Sequence, residues 1–165
     1  MTIPHFHLRS VPSPELSADP ERLRPLFADD WKTVRSRCEA QTETVLAEDY
    51  LDVHRLYVGA RHPPAVSAPE TLLVLGGRPV PLPGEGLPPF IVLIPAQVTV
   101  AAAYLCSVSF DALWSTACED LMAPHGLLFT EAELRTHFSL VHERLTAFYT
   151  RTSDEGRAVV KWLLV

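Results

Sequence analysis

The apolar positions of this chain change period several times, and each change predicts an element. Phe6 and Leu8 alternate with His5, His7 and Arg9, the period of a half-buried strand, which Pro12 and Pro14 end. Ser13 then has the chemistry of a helix N-cap, with Pro14 at the first helical position. A second start signal, Asp19-Pro20, precedes Leu23, Leu26 and Phe27, so the first fifty residues are expected to be helices broken by prolines. Trp31, Val34 and Cys38 continue an apolar stripe at helical spacing, whereas Gln41 to Glu48 is polar enough for a loop or a frayed helix. Leu46, Tyr50, Val53 and Tyr57 again mark one helical face, with His54 at its edge and Gly59 as the stop.

The second half alternates turns with apolar runs. Residues 61–70 hold three prolines and no periodicity, as a surface loop does, and Thr71 to Leu75 reads as a short strand. Gly76-Gly77 turns the chain, and Pro79 to Pro89 forms a rigid, irregular connection suited to a surface loop or a binding rim. Phe90 to Ile94 reads as a buried strand feeding a helix that has Pro95 at its first position. Ser107 or Ser109 caps a further helix through Leu113 and Trp114, and Pro124-His125-Gly126 marks a turn. Thr130 and Glu133 form a capping box. The helix it opens carries Leu134, Phe138, Val141, Leu145 and Phe148 on one face, about five turns in all. Asp154-Glu155-Gly156 ends it, and Ala158 to Leu164 is expected to be a strand with Lys161 facing water. With no internal repeat, residues 1–165 are expected to form one α+β domain, several helices packed on a small mixed or antiparallel sheet.

Composition narrows the function classes. Hydrophobic residues make up 47% of the 165, enough for a substantial buried core. The net charge of −6 and the absence of a basic cluster argue against nucleic acid as a partner. Phe90 to Cys106 carries no charge, but Pro95 splits it and it falls short of the roughly 20 residues of a spanning helix, so no membrane partner is expected. The opening residues lack an export pattern, which makes a cytoplasmic location the expectation. Cys38, Cys106 and Cys118 have neither disulfide nor zinc spacing and read as reduced thiols.

Candidate chemistry is sparse. No phosphate-binding loop, dinucleotide fingerprint, nucleophile elbow or zinc-protease motif occurs, and no cofactor is implied. Leu75-Gly76-Gly77-Arg78 has the look of an anion-binding loop, but Pro79 follows directly and no helix start supplies a dipole, so a strand-ending turn is favoured. Cys118 has acidic neighbours, which disfavour a reactive thiolate. His5 and His7 share a strand face and are the weak metal candidates, needing a third ligand such as His54 or His62. Tyr50, His54, Tyr57 and Arg78 are the candidate ligand-binding residues, with His54 as the candidate catalytic base or a structural hydrogen-bonding group. Trp31, Trp114 and Trp162 fall on apolar faces and read as core. His137 and His142, five residues apart, point to different sides of their helix.

Several blocks, in order, resemble the YfbM-like family of bacterial domains of unknown function. They are Tyr50 to Gly59, an aromatic-x-x-x-His helix; Val74-Leu75-Gly76-Gly77-Arg78-Pro79; Ile94-Pro95-Ala96-Gln97-Val98; and Phe148-Tyr149 followed by Asp154 to Val160. The blocks span residues 50–165, and the first fifty fit loosely. Tyr50 stands where the family usually has Trp, and the family's Tyr-Pro-x-x-Trp segment near residue 125 is absent. The resemblance implies a compact α+β domain and no particular activity.

Three functions remain open on these residues. One is a small protein-binding or accessory module, immunity-like or regulatory, acting through an acidic surface. Another is a small-molecule-binding protein or enzyme of specialised metabolism with a pocket around His54. The last is a metal site at His5 and His7.

Overall fold

Two strands far apart in sequence lie side by side at the middle of the sheet. β1 (His5–Val11) and β5 (Ala158–Leu164) pair antiparallel along their whole length, from His5 opposite Leu164 to Val11 opposite Ala158. β2 (Glu43–Leu46) adds to β1, and β4 (Phe90–Leu93) with β3 (Arg78–Val80) adds to β5, giving the order β2-β1-β5-β4-β3 with every pair antiparallel. The computed structural model describes residues 3–59, 68–84 and 86–165, so most of the loop expected at 61–70, with His62, lies outside the described residues.

Among the described residues seven α-helices accompany this sheet: α1 (Pro20–Leu23), α2 (Trp31–Glu39), α3 (Tyr50–Val58), α4 (Pro69–Leu72), α5 (Pro95–Ser107), α6 (Phe110–His125) and α7 (Glu131–Asp154). The result is a single α+β domain, as the apolar pattern predicts. Both faces of the sheet are covered. Phe6, Leu8, Leu93 and Val159 pack with α3 and with α5 to α7 in one cluster. Val11, Val80, Phe90, Val92, Ala158 and Val160 pack on the other side against Leu23, Leu26 and Phe27 of the N-terminal helical turns.

Local chemistry sets most helix ends. Asp19 accepts from Glu21 N, Asp30 from Thr33 N and Ser109 from Ala112 N, each satisfying an amide of a first turn. The Thr130–Glu133 capping box opens α7, which at 24 residues outruns the five turns its stripe predicts. Gly156 ends it at φ +63°. Pro124 lies inside the last turn of α6, and the helix runs through it to His125. Ser13 does not cap: residues Ser13–Glu15 form a single 3₁₀ turn with Pro12 at its head.

Four expectations are corrected. Residues Glu43–Leu46 form strand β2 instead of a loop or frayed helix, because polar Glu43 and Thr44 are buried by tertiary contacts that composition does not reveal. Thr71 to Leu75 is no strand: Pro69–Leu72 is a helical turn, and Leu73 and Val74 are buried without a ladder partner. Its unbroken apolar run carries no period to separate the two choices. Trp31 is 56% exposed, while Trp114 is core and Trp162 is partly buried against Phe90. Lys161 does not face water; its relative exposure is 0%. In a sheet covered on both sides the alternating face of β5 offers no solvent for a charged residue.

Lys161 instead fills the space beneath residues 72–76. Its Nζ donates to the carbonyls of Leu72 at 2.5 Å, Val74 at 2.9 Å and Gly76 at 2.8 Å. Burial without a carboxylate partner pushes its pKa well down. The glycines serve this fold-back. A Cβ at Gly76 would lie 2.2 Å from the Thr71 carbonyl oxygen, and Gly77 has φ +130°. The Gly-Gly pair is thus a steric turn in which the Gly76 carbonyl faces inward to the Lys161 amine, not a cradle for an anion. Among the described residues no helix is long and apolar enough to cross a membrane, and α5 and α6 are bent by 91° at their break.

Candidate functional site

Helix α3 places three of the residues singled out by sequence. Tyr50 stacks on Phe6 with ring centroids 5.3 Å apart. The Tyr57 hydroxyl donates to His142 Nδ1 at 3.0 Å. Burial, and then nearby Tyr104, pushes the Tyr57 phenol up, whereas burial pulls His142 down against the opposing pull of Glu143. The phenol therefore keeps its proton and the neutral imidazole accepts it as a hydrogen bond. His54 is half-buried, and its Nδ1 has no hydrogen-bond partner among the described residues. Burial, followed by the charge of Lys161, lowers its pKa. Arg78 is exposed on edge strand β3, opposite Val92. Tyr50, His54 and Tyr57 thus share one helix, and Arg78 belongs to the sheet edge.

The strand period places His5 and His7 on one face of β1, with rings 6.5 Å apart. His7 Nδ1 donates to Glu43 Oε1 at 2.7 Å, and the His5 ring meets Trp31 edge-on at 5.1 Å. No group of three or more metal-ligating side chains forms among the described residues. Burial, then Glu131, raises the Cys118 thiol pKa, and burial, then Glu43, raises that of Cys38, as expected of unreactive thiols.

The largest concavity described lies elsewhere, where α3, the end of α6 and the start of α7 meet. It has a volume of about 830 Å³. Asp52 of α3 accepts from His125 Nε2 at 2.8 Å and from Arg55 at 2.9 Å, tying α3 to the end of α6. Asp49 accepts from His137 Nε2 at 2.5 Å, tying the start of α3 to α7. Leu128, Phe129, Leu134 and Phe138 supply the apolar lining; Glu48, Asp49, Asp52 and Glu133 supply carboxylates. The Thr130 backbone N–H, and then its hydroxyl, hold the Glu133 carboxyl below its usual pKa, so this rim position stays charged.

The turn beside the groove presents Leu127, Leu128 and Phe129 at exposures of 101%, 79% and 48%. It is held in place at both ends. Leu128 N and Phe129 N donate to the His125 carbonyl at 2.9 and 3.0 Å, and the Thr130 capping box follows at once. An apolar ledge thus stands preformed next to four carboxylates.

Sequence reasoning missed this groove because its residues come from three helices. One signal was on the page: Leu127-Leu128-Phe129 is an apolar run between a glycine and a capping box, with no helical or strand period to bury it.

The crystal structure of YfbM from Escherichia coli, a protein of unknown function, matches this chain with a TM-score of 0.61 at 15% sequence identity, covering 99% of this chain and 100% of that one. The chain has a YfbM-like fold. No protein-family model matches the sequence. No curated protein matches it either. The match includes the first fifty residues, so β1, β2 and the helical turns between them belong to the YfbM-like fold although their sequence fits it loosely. At this identity the likeness concerns fold and leaves function to the site.

Proposed function

We propose that this protein is a small binding module that takes a cationic, amphipathic segment of another protein into the groove between α3, α6 and α7. The observation that carries the reading is the fixed ledge Leu127-Leu128-Phe129 standing beside Glu48, Asp49, Asp52 and Glu133. Exposed apolar side chains clustered at a concave surface are uncommon on a monomer and mark interaction sites. Burying a leucine or phenylalanine there contributes about 1.5–3 kcal/mol per side chain before association costs. The carboxylates select the charge of the partner and steer its approach, in keeping with the net charge of −6.

The occupant is therefore a segment alternating apolar and Lys or Arg side chains. A fluorescent helical peptide of leucine and lysine tests this by anisotropy, with its leucine–glutamate counterpart as control. The lysine peptide is expected to bind saturably, to weaken with salt, and to lose about tenfold in affinity with Leu128→Ser. Equal binding of both peptides, or unchanged binding to Leu128→Ser, overturns the proposal.

A further inference from the structure

β2 is one edge of the five-stranded sheet, and a cleft of about 400 Å³ runs along it, apart from the groove between α3, α6 and α7. The register decides which backbone groups face that cleft. Ser10 N donates to the Thr42 carbonyl at 2.9 Å, one step beyond the Arg9–Glu43 pair, so by alternation Leu8 with Thr44 and Phe6 with Leu46 are the other hydrogen-bonded pairs. Glu43 and Val45 fall between them, and their N–H and C=O groups point away from β1. These two donors and two acceptors have no hydrogen-bond partner among the described residues.

The same alternation puts a helix on each side of the edge. Glu43 and Val45 share the face of His7, where Arg37 of α2 approaches Glu43 to 3.5 Å; Thr44 and Leu46 share the face of Leu8, which packs with Phe148 of α7. Cys38 and Glu39 of α2 therefore wall the cleft on one side, and Glu143, Arg144 and Ala147 of α7 on the other, with the edge of β2 as its floor. The opposite edge of the sheet is blunted, since Pro79 of β3 has no N–H to offer and Arg78 beside it is exposed. β2 carries neither proline nor lysine, and its one charge, Glu43, is turned inward to His7. Past Gln41 the cleft continues along α7 to Asp154 and Glu155. On this path Glu39, Glu143, Asp154 and Glu155 outnumber Arg144 and Arg151, so a second copy of the same edge would meet like charge, and a basic segment meets its complement.

We propose that the β2 edge accepts a short, extended segment of another protein, bearing lysine or arginine, as a sixth strand of the sheet. The main chain of the segment pairs with the N–H and C=O groups of Glu43 and Val45, which supplies affinity without regard to sequence. Its side chains alternate between the α2 and α7 walls, where basic ones meet Glu39 and Glu143.

A short fluorescent peptide alternating valine and lysine tests this by anisotropy, beside the same peptide with every amide N-methylated, which keeps the side chains and charge but cannot donate. The plain peptide is expected to bind saturably, and the methylated one at least about tenfold more weakly. Val45→Pro removes one outward donor and leaves the hydrogen bonds to β1 intact, so it is expected to cost about tenfold in affinity as well. Leu128→Ser, in the other groove, is expected to leave binding unchanged. Absence of saturable binding, equal binding of the methylated peptide, or loss of binding in Leu128→Ser overturns the proposal. So does sedimentation of the protein alone as a dimer that Val45→Pro dissociates, since a second copy would then own the edge.

Discussion

Tyr149 and Lys161 share an acceptor: the tyrosine hydroxyl and the lysine Nζ both donate to the carbonyl of Leu72, at 3.2 and 2.5 Å. Both side chains are fully buried, and the Tyr149 hydroxyl also reaches the Leu73 carbonyl at 2.8 Å. Burial pushes the Tyr149 phenol up and the Lys161 amine down, and both groups donate. The segment between α4 and β3 is thereby fixed from below by the sheet and from the side by α7.

Lys161→Met should therefore destabilise by about 2–4 kcal/mol, since the Val74 and Gly76 carbonyls lose their buried donor. The size should depend on pH. Between its depressed folded pKa and the ordinary 10.5, the unfolded lysine holds a proton that the folded one lacks, so wild-type stability rises with pH across that window. Urea unfolding at about pH 7 and about pH 9.5 should show the gap between wild type and Lys161→Met widening. A constant gap would contradict a depressed Lys161 pKa.

The Tyr57–His142 hydrogen bond depends on pH with the same sign, in a window that ends at the lower pKa of an unfolded histidine. His142 and His54 both have folded pKa values below 6.5, so their contribution is complete above that value and is lost as pH falls below it. His142→Asn, which keeps an acceptor but cannot titrate, should flatten the acid limb of a stability-versus-pH curve. Tyr57→Phe should cost about 1–2 kcal/mol above pH 6.5 through the unpaired imidazole nitrogen.

Two glycines should separate steric from conformational demands. Gly76→Ala places a Cβ against the Thr71 backbone and should cost about 3 kcal/mol or prevent folding. Gly59→Ala, at φ +75° with nothing within 4 Å, should cost only about 1 kcal/mol. Thermal melts of the two variants make the comparison.

The apolar ledge should be dispensable for folding. Leu127→Ser with Leu128→Ser is expected to change stability by less than about 0.5 kcal/mol while peptide binding falls. Thr130→Ala, which removes the cap that fixes the ledge, should cost about 1 kcal/mol.

Elements governed by local rules were legible in the sequence. α7 announced itself through the Thr130–Glu133 box and a five-residue stripe, β1 through the alternation of Phe6 and Leu8, and α5 through Pro95 at its head. Elements governed by distant partners were not. β2 exists because Glu43 meets His7 and Arg37 across 36 and 6 residues, and Lys161 reads as a surface residue until the carbonyls of residues 72–76 are folded over it. The helix carrying His54 was readable as a helix, but the imidazole's surroundings depend on Lys161, more than a hundred residues later. The groove escaped for the same reason, since it draws its walls from three helices.

The pairing of β1 with β5 also sets an order of events during synthesis. One edge of β1 can pair with β2 once residues 43–46 are made, but the other waits for residues 158–164, so β1 stands with that edge open while some 150 residues are made. Contacts so distant in sequence slow the folding of the finished chain as well. Local helices such as α7 form early, and the closing of β5 into the gap beside β1 is the step that commits the chain. Cells making this protein therefore face their greatest risk of aggregation just before the last strand emerges.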